Sequence, residues 1–268
     1  MGGNGIEAMI QRINELYHKS QAEGLTAEEK AEQAKLRSAY VANVRRNLKS
    51  QLDNISIVEK DGTVTNLGEK HERAEKKELR KQILALRDAM PVDEREEKSR
   101  RIMSALVSMP LYGQSDSILT YVNYQSEVNT TDLVNKALAD GKLVFAPKVS
   151  GETMEFYRID GTEDLREGYK GIREPVSERI FDADAATGHT LMLMPGAVFD
   201  EKCHRIGYGK GFYDRYLKHI SERKISVHTL ALCYECQVLP EIPYEKHDIR
   251  PQAVLTEMQF RTCSDRTN

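Results

Sequence analysis

TLMLMPGAVFDEKCHRIGYGKGFYDRYLKHI, Thr190 to Ile220, is the stretch from which the fold can be read. Its first five residues are apolar and halted by Pro195-Gly196, the pattern of a buried strand ending in a loop. Beyond the loop, Arg205-Ile206-Gly207-Tyr208-Gly209-Lys210-Gly211 sets three glycines at every second position beside two cations, and Phe212 to Ile220 then reads as a helix. Strand, glycine-dense turn and helix in that order make a unit of α/β layering, in which function gathers beyond strand ends.

That turn suits an anion. Glycine lets backbone N–H groups approach a phosphate without an intervening Cβ, and the following helix N-terminus carries roughly half a positive charge. Lys210 and Arg205 supply full charges, and Asp214, one turn into the helix, is placed to hold a divalent cation bridging phosphate oxygens. The same run also reads as a plain tight turn, with Asp214 answering the helix dipole. It is not a Walker A loop, because Lys210 is followed by Gly211 rather than Ser or Thr, and it lacks the Gly-x-Gly-x-x-Gly spacing of dinucleotide sites.

The motif resembles the signature of the 5-formyltetrahydrofolate cyclo-ligases, also called methenyltetrahydrofolate synthetases. That signature has a Pro-Gly, a Phe-Asp, then Arg-hydrophobic-Gly-x-Gly-x-Gly-aromatic-Tyr-Asp, matched here by Pro195-Gly196, Phe199-Asp200 and Arg205 through Tyr213-Asp214. The resemblance extends over about residues 75–257.

At 268 residues with a net charge of −3, the chain has room for one large domain or a main domain with an appendage. The near-neutral balance argues against a nucleic-acid partner, and no apolar run approaches the ~20 residues that span a bilayer. The N-terminus lacks a basic-then-apolar leader, which points to the cytoplasm. Of four cysteines, Cys233 and Cys236 form one C-x-x-C with no second copy, so free thiols, buried at Cys233, are expected rather than a zinc or redox site.

Toward the N-terminus, Met9, Ile10, Ile13, Leu16 and Tyr17 make a helical stripe, and Thr26-Ala27-Glu28-Glu29 is a capping box opening a second helix with Tyr40, Val41, Val44, Leu48 and Leu52 along one face. Residues 1–60 therefore read as an antiparallel two-helix hairpin whose stripe calls for a partner: itself, a second copy or the following domain. The segments RINELYHKSQAEGLTAEEKAEQAKLR and KSQLDNI resemble the small uncharacterised bacterial YnzC-like proteins. Arg45, Arg46 and Lys49 read as a solvated helix face rather than a nucleic-acid contact.

Residues 61–74 are polar, with two glycines and no sustained stripe, and read as the linker to a domain over 75–268. There, KKELRKQILALRDAM and DEREEKSRRIMSALVSM are helices separated by Pro91, and SILTYVNY from Ser117, LVFAPKV from Leu143, TMEFYRI from Thr153, TLMLM, ISVHTLALCY from Ile225 and AVLTE from Ala253 are strands. Alternation of strands and helices predicts an α/β fold with a layered, largely parallel sheet flanked by helices, as the family resemblance also implies.

The resemblance implies an ATP contact set of Lys76, Lys77, Arg80, Arg205, Ile206, Gly207, Tyr208, Gly209, Lys210, Gly211, Phe212 and Tyr213. It implies folate contacts at Val122, Glu127 and the run Tyr208 to Phe212, and Mg²⁺ on Asp214 and Asp248. Lys210 and Arg205 carry the catalytic load in this expectation. One departure is Gln252, where the family usually has an aspartate. His247 beside Asp248 makes a His-Asp pair with no activated nucleophile evident nearby.

The implied reaction converts 5-formyltetrahydrofolate to 5,10-methenyltetrahydrofolate with ATP and Mg²⁺, releasing ADP and phosphate. A sugar-phosphate isomerase would also account for the glycine loop, as would a nucleotide-binding scaffold without turnover.

Overall fold

The protein is described from a computed structural model covering residues 3–52, 55–58, 62, 64–186, 188–221, 223, 227–245 and 248–263. The chain divides into two units, Met1–Ala74 and Glu75–Asn268.

In the first unit, α1 (Gly3–Ala22) and α2 (Ala27–Leu52) form the hairpin. The capping box is reciprocal: the Glu29 N–H donates to Thr26 Oγ1 at 3.2 Å and the Thr26 N–H to Glu29 Oε2 at 3.0 Å. Arg12 reaches both oxygens of Glu32 at 2.9 Å and Lys19 reaches Glu29 at 2.6 Å, so earlier residues of α1 meet later residues of α2 and the helices run antiparallel. Leu16 is buried, whereas Ile10, Tyr17 and Val44 of the apolar stripes are exposed. The side chains of Val41, Arg45, Arg46, Leu48, Lys49 and Leu52 lie outside the described residues.

A short hairpin of β1 (Ser56–Val58) and β2 (Val64–Asn66) follows, and α3 runs from Leu67 to Asp88. The latter part of the expected linker is thus β2 and the first two turns of α3. Asn66 caps that helix by accepting the Glu69 N–H at 3.2 Å. The opening turns, LGEKHERA, are rich in good helix formers, which sustain a helix without the apolar stripe that would reveal it.

The second unit is organised by a seven-stranded sheet. After α4 (Val92–Ser108) and α5 (Pro110–Gln114) come β3 (Ser115–Leu119), α6 (Thr131–Ala139), β4 (Leu143–Ser150) and β5 (Thr153–Ile159). A small pair, β6 (Leu165–Glu167) and β7 (Arg173–Pro175), precedes β8 (His189–Met194). Then come β9 (Val198–Asp200), β10 (Arg205–Ile206), α7 (Phe212–Ser221), β11 (Val227–Leu232), β12 (Val238–Leu239), β13 (Ala253–Leu255) and β14 (Phe260–Thr262). The spatial order is β14-β13-β11-β8-β3-β4-β5, parallel throughout except at the two edges, where β14 and β5 pair antiparallel.

Counting the parallel strands alone, the order β4-β3-β8-β11-β13 is 2-1-3-4-5, a doubly wound sheet whose switch point lies between β3 and β8. Alternation along β8 assigns the faces. Leu191 and Leu193 pack with Leu133 and Ala137 of α6, while Met192 and Met194 pack with Tyr216, Leu217 and Ile220 of α7. All four β8 side chains are fully buried, each stabilising the fold by ~1.5–3 kcal/mol.

The strand expected from Ser117 to Tyr124 leaves the sheet after Leu119, so residues 120–130 form a loop at its C-terminal end. The first two residues of the expected strand from Ile225 lie outside the described residues.

The C-x-x-C expectation holds, Cys233 and Cys236 being free, but the other two cysteines are not thiols. Cys203 and Cys263 are joined in a disulfide with their Cα atoms 5.7 Å apart, and the free thiols are Cys233, which is buried, and Cys236. Spacing could not reveal this, because the bond spans 60 residues and depends on β14 returning beside β13. Thiol titration of the unfolded, unreduced protein should therefore count two reactive thiols, rising to four after reduction. Four thiols before reduction would remove the cross-link.

Candidate active site at the sheet switch point

The loops leaving β3 and β8 emerge side by side, because those strands are neighbours and parallel. At the end of β8 the chain passes Gly196, where an added Cβ would lie 2.4 Å from Cζ of buried Phe199, so the backbone can run there only without a side chain. It then makes the β9–β10 hairpin, in which Arg205 faces Phe199 and Ile206 faces Val198. Asp200 is fully buried and holds that turn. It accepts the N–H groups of Lys202 and His204 at 3.0 and 2.8 Å, and pairs with His204 Nδ1 at 2.8 Å. The Phe-Asp of the motif is thus a structural staple ahead of the glycines.

Within the glycine run, Gly209 and Gly211 adopt left-handed φ of +88° and +62°, which other residues take up only with strain. Arg80, from α3, donates from Nε to the Gly207 carbonyl at 2.7 Å and lies beside Gly209. Burial lowers the Arg80 pKa. Ile206 points into a small core with Ile83, Val198 and Ile242, so it has only its backbone to offer a ligand. Lys210 is exposed with no partner among the described residues, as is Lys77.

Arg205 is 8% exposed. It donates to Asp214 Oδ1 at 2.9 Å and to the Pro195 carbonyl at 3.3 Å, and its guanidinium lies 5.8 Å from the Tyr213 ring centre. Its Nε is buried without an acceptor among the described residues. The Ile249 N–H also donates to Asp214 Oδ1, at 3.2 Å, which brings the neighbouring Asp248 to this side of the site. Asp248 Oδ2 accepts from Lys76 at 2.6 Å and from the Glu245 N–H at 2.8 Å. Each expected metal acid is therefore joined to an expected ATP cation.

Gln252 is used elsewhere: its side-chain oxygen accepts the Thr229 N–H at 2.9 Å, tying the approach to β13 onto β11. His247 lies outside the described residues. The rings of Phe212 and Tyr213 meet Tyr169 and Phe156 edge-on, so both are partly committed to packing.

Glu127 lies in the loop after β3. Its Oε2 accepts the Tyr124 N–H at 2.9 Å, and the loop is stapled by Tyr121 Oη donating to the Val128 carbonyl at 3.0 Å. Val122, half-buried, packs against the main core beneath. Beside Glu127 stands a residue the motif reading omits, Arg87. It is 3% exposed and donates to Ser126 Oγ at 2.9 Å and Tyr208 Oη at 2.8 Å. Its signal in the sequence is a guanidinium four residues after Ile83 on the buried face of α3, where an apolar residue would be the default.

A doubly wound sheet with a glycine loop and a half-buried carboxylate at its switch point has the layout of a ligand-binding α/β enzyme. Comparison with known proteins narrows the class. Residues 72–257 match the 5-formyltetrahydrofolate cyclo-ligase family, and the chain belongs to that family. Residues 8–67 match a family described as bacterial protein of unknown function (DUF896). The chain is 34% identical over 170 residues to a probable 5-formyltetrahydrofolate cyclo-ligase of Schizosaccharomyces pombe, covering 59% of this chain and 83% of the relative. A UPF0291 protein of Clostridium tetani is 54% identical over 55 residues, 20% of this chain and 92% of the relative. The solved structure of Aquifex aeolicus 5,10-methenyltetrahydrofolate synthetase aligns with a TM-score of 0.62 at 30% identity, covering 72% of this chain and 95% of that one.

Burial raises the Glu127 pKa above the ordinary carboxylate range, opposed by the Tyr208 hydroxyl, the Tyr124 N–H and Arg87. A carboxyl raised on folding contributes stability that is full below its unfolded pKa of about 4.3 and lost as pH rises through the raised value. Denaturation across that window should show the wild type losing stability as pH rises, a step absent from Glu127→Gln. Parallel pH profiles for the two proteins would show that Glu127 is not held above its ordinary value.

Proposed function

We propose that the chain catalyses the ATP- and Mg²⁺-dependent conversion of 5-formyltetrahydrofolate to 5,10-methenyltetrahydrofolate, with release of ADP and phosphate, in a cytoplasmic setting. The observation that carries this reading is the meeting, at one switch point and within the family match, of the glycine loop with its cations and the loop bearing Glu127.

In this reading the γ-phosphoryl group of ATP passes to the formyl oxygen, converting it to a leaving group. N10 of the folate then attacks the formyl carbon, and loss of phosphate leaves the methenyl bridge. Such transfers need positioning and charge neutralisation more than covalent help. The backbone from Gly207 to Gly211, Arg80, Arg205 and Lys210 receive the phosphate charge, with Lys76 and Lys77 at its edge. Glu127 accepts from the pterin N–H groups, with Val122, Tyr208 and Phe212 along the same ligand.

Asp214 and Asp248 are suited to Mg²⁺. Each uses one oxygen in its ion pair, leaving Asp214 Oδ2 and Asp248 Oδ1 without hydrogen-bond partners among the described residues. Two carboxylates complemented by substrate phosphates are a normal magnesium set, and no group of three or more metal-type side chains occurs among the described residues. Bound there, the ion would neutralise phosphate charge. Arg205 and Lys76, which pair with these acids, are the cations a triphosphate would draw toward itself.

Absorbance of the methenyl product in the presence of 5-formyltetrahydrofolate, ATP and magnesium tests the reading. Omitting ATP or magnesium should abolish the signal, whereas an isomerase would need neither and a scaffold would bind ATP without turnover. Lys210→Ala should lower kcat/KM by about a hundredfold or more, because it removes a charge aimed at the transferred group. It should leave stability within about 0.5 kcal/mol, because Lys210 is exposed and has no partner among the described residues. Wild-type turnover in that variant would rule out the assigned role.

The first unit is read as a separable interaction module that associates with itself or a partner. Support comes from relatives in which each part stands as nearly a whole protein, 83% of one and 92% of the other being covered. Removing residues 1–66, which end before α3, should leave kcat within about twofold while changing the sedimentation behaviour. Loss of turnover would make the hairpin part of the enzyme.

A further inference from the structure

Arg87 is the most deeply buried cation at the site, and none of the roles assigned above uses it. Groups around it come from three parts of the chain. Ser126 precedes Glu127 in the loop after β3, Tyr208 stands between the first two glycines of the loop after β8, and Asp88 is next on α3. Ser126 Oγ receives the Arg87 Nε–H and passes its own hydrogen to Asp88 Oδ1, so its position is set from both sides. Tyr208 Oη accepts from Arg87 Nη1, which leaves its hydroxyl hydrogen for another acceptor, and the Glu127 carboxylate is beside it.

We propose that Arg87 is a positioning residue for the folate end of the site, holding Tyr208 and the Glu127 loop in one register so that the carboxylate is aimed at the pterin when the glycine loop is loaded. The inference rests on the reading of Glu127 as the folate contact. Arg80 and Arg87, two turns apart on α3, divide the work: Arg80 grips the glycine-loop backbone at Gly207, on the phosphate side, and Arg87 grips the next side chain, on the folate side. A lysine could make one of these contacts but not two at fixed angles, because the guanidinium presents its donors in a rigid plane.

Other ionisable groups around Glu127 include Asp88, bonded to Ser126, and the tyrosines Tyr121 and Tyr124 from its own loop, Tyr208 and Tyr213 from the glycine loop and α7, and Tyr234 after β11, whose hydroxyl donates to the Glu127 carbonyl at 3.4 Å. Arg87 is the cation among the groups that act on Glu127.

The test measures KM for each substrate and kcat in Arg87→Met, Arg87→Lys, Tyr208→Phe and the double variant Arg87→Met/Tyr208→Phe. Arg87→Met should raise KM for 5-formyltetrahydrofolate by about tenfold and leave KM for ATP within about twofold, the size expected for a lost charge-assisted contact on one ligand. Arg87→Lys should recover part of the loss. The double variant should be no worse than Arg87→Met, because residues acting through one contact are not additive. Equal rises in both KM values, additive effects, or an unchanged folate KM would overturn the proposal. Should Arg87→Met fail to fold, Arg87→Lys decides, with a folate-only KM rise required. Should the wild type form no methenyl product, the proposed activity fails separately, and carboxyl NMR titration of Glu127 judges the tie: both single variants must move it further upward, and an unmoved value would end the proposal.

Discussion

The buried Arg205 guanidinium is the interaction on which the catalytic unit most depends. It bonds the carbonyl of Pro195 at the exit of β8 and the carboxylate of Asp214 in the first turn of α7, so one side chain joins strand, hairpin and helix. A cation so far from water is stable only with such partners, since removing one leaves an uncompensated charge. The glycine run between Arg205 and Asp214 is therefore a loop closed at both ends. Its left-handed turns at Gly209 and Gly211 let the eight intervening residues fold back within the reach of one ion pair.

A second constraint follows from strand order. Because the chain goes from β3 to β4 on one side and later returns to β8 on the other, loops 75 residues apart, after Leu119 and after Met194, leave the sheet together. The α3 helix then lies along both, with Arg80 on one loop and Arg87 on each. In the ion pairs Arg205–Asp214 and Lys76–Asp248, each acid neutralises the cation beside it. Such pairing limits the desolvation cost of keeping four charged groups partly buried.

The family motif made the core of the site legible, and the reason is local. Close backbone approach at Gly196, left-handed turns at Gly209 and Gly211 and a first-turn acid at Asp214 are short-range demands that leave residue types at fixed spacing. Arg87 escaped because its function is visible only from what surrounds it: on a helix read for periodicity it is one basic residue among several. The opening turns of α3 escaped for the opposite reason, since a charged helix shows no stripe. The Cys203–Cys263 bond and the use of Gln252 on Thr229 depend on where β13 and β14 fall beside β11, which no spacing encodes.

By itself, the stretch from Thr190 to Ile220 determined a buried strand, a glycine turn and a helix, and with them a layered α/β domain, because apolar runs and glycines act on their own backbone. Tertiary structure alone decided which charges meet. It set Lys76 against Asp248 across 172 residues and Arg87 against Tyr208 across 121, and brought the β3 and β8 loops to one crevice. Those pairings are set by sheet order and helix packing, which sum over the whole core and leave no local mark on the residues they bring together.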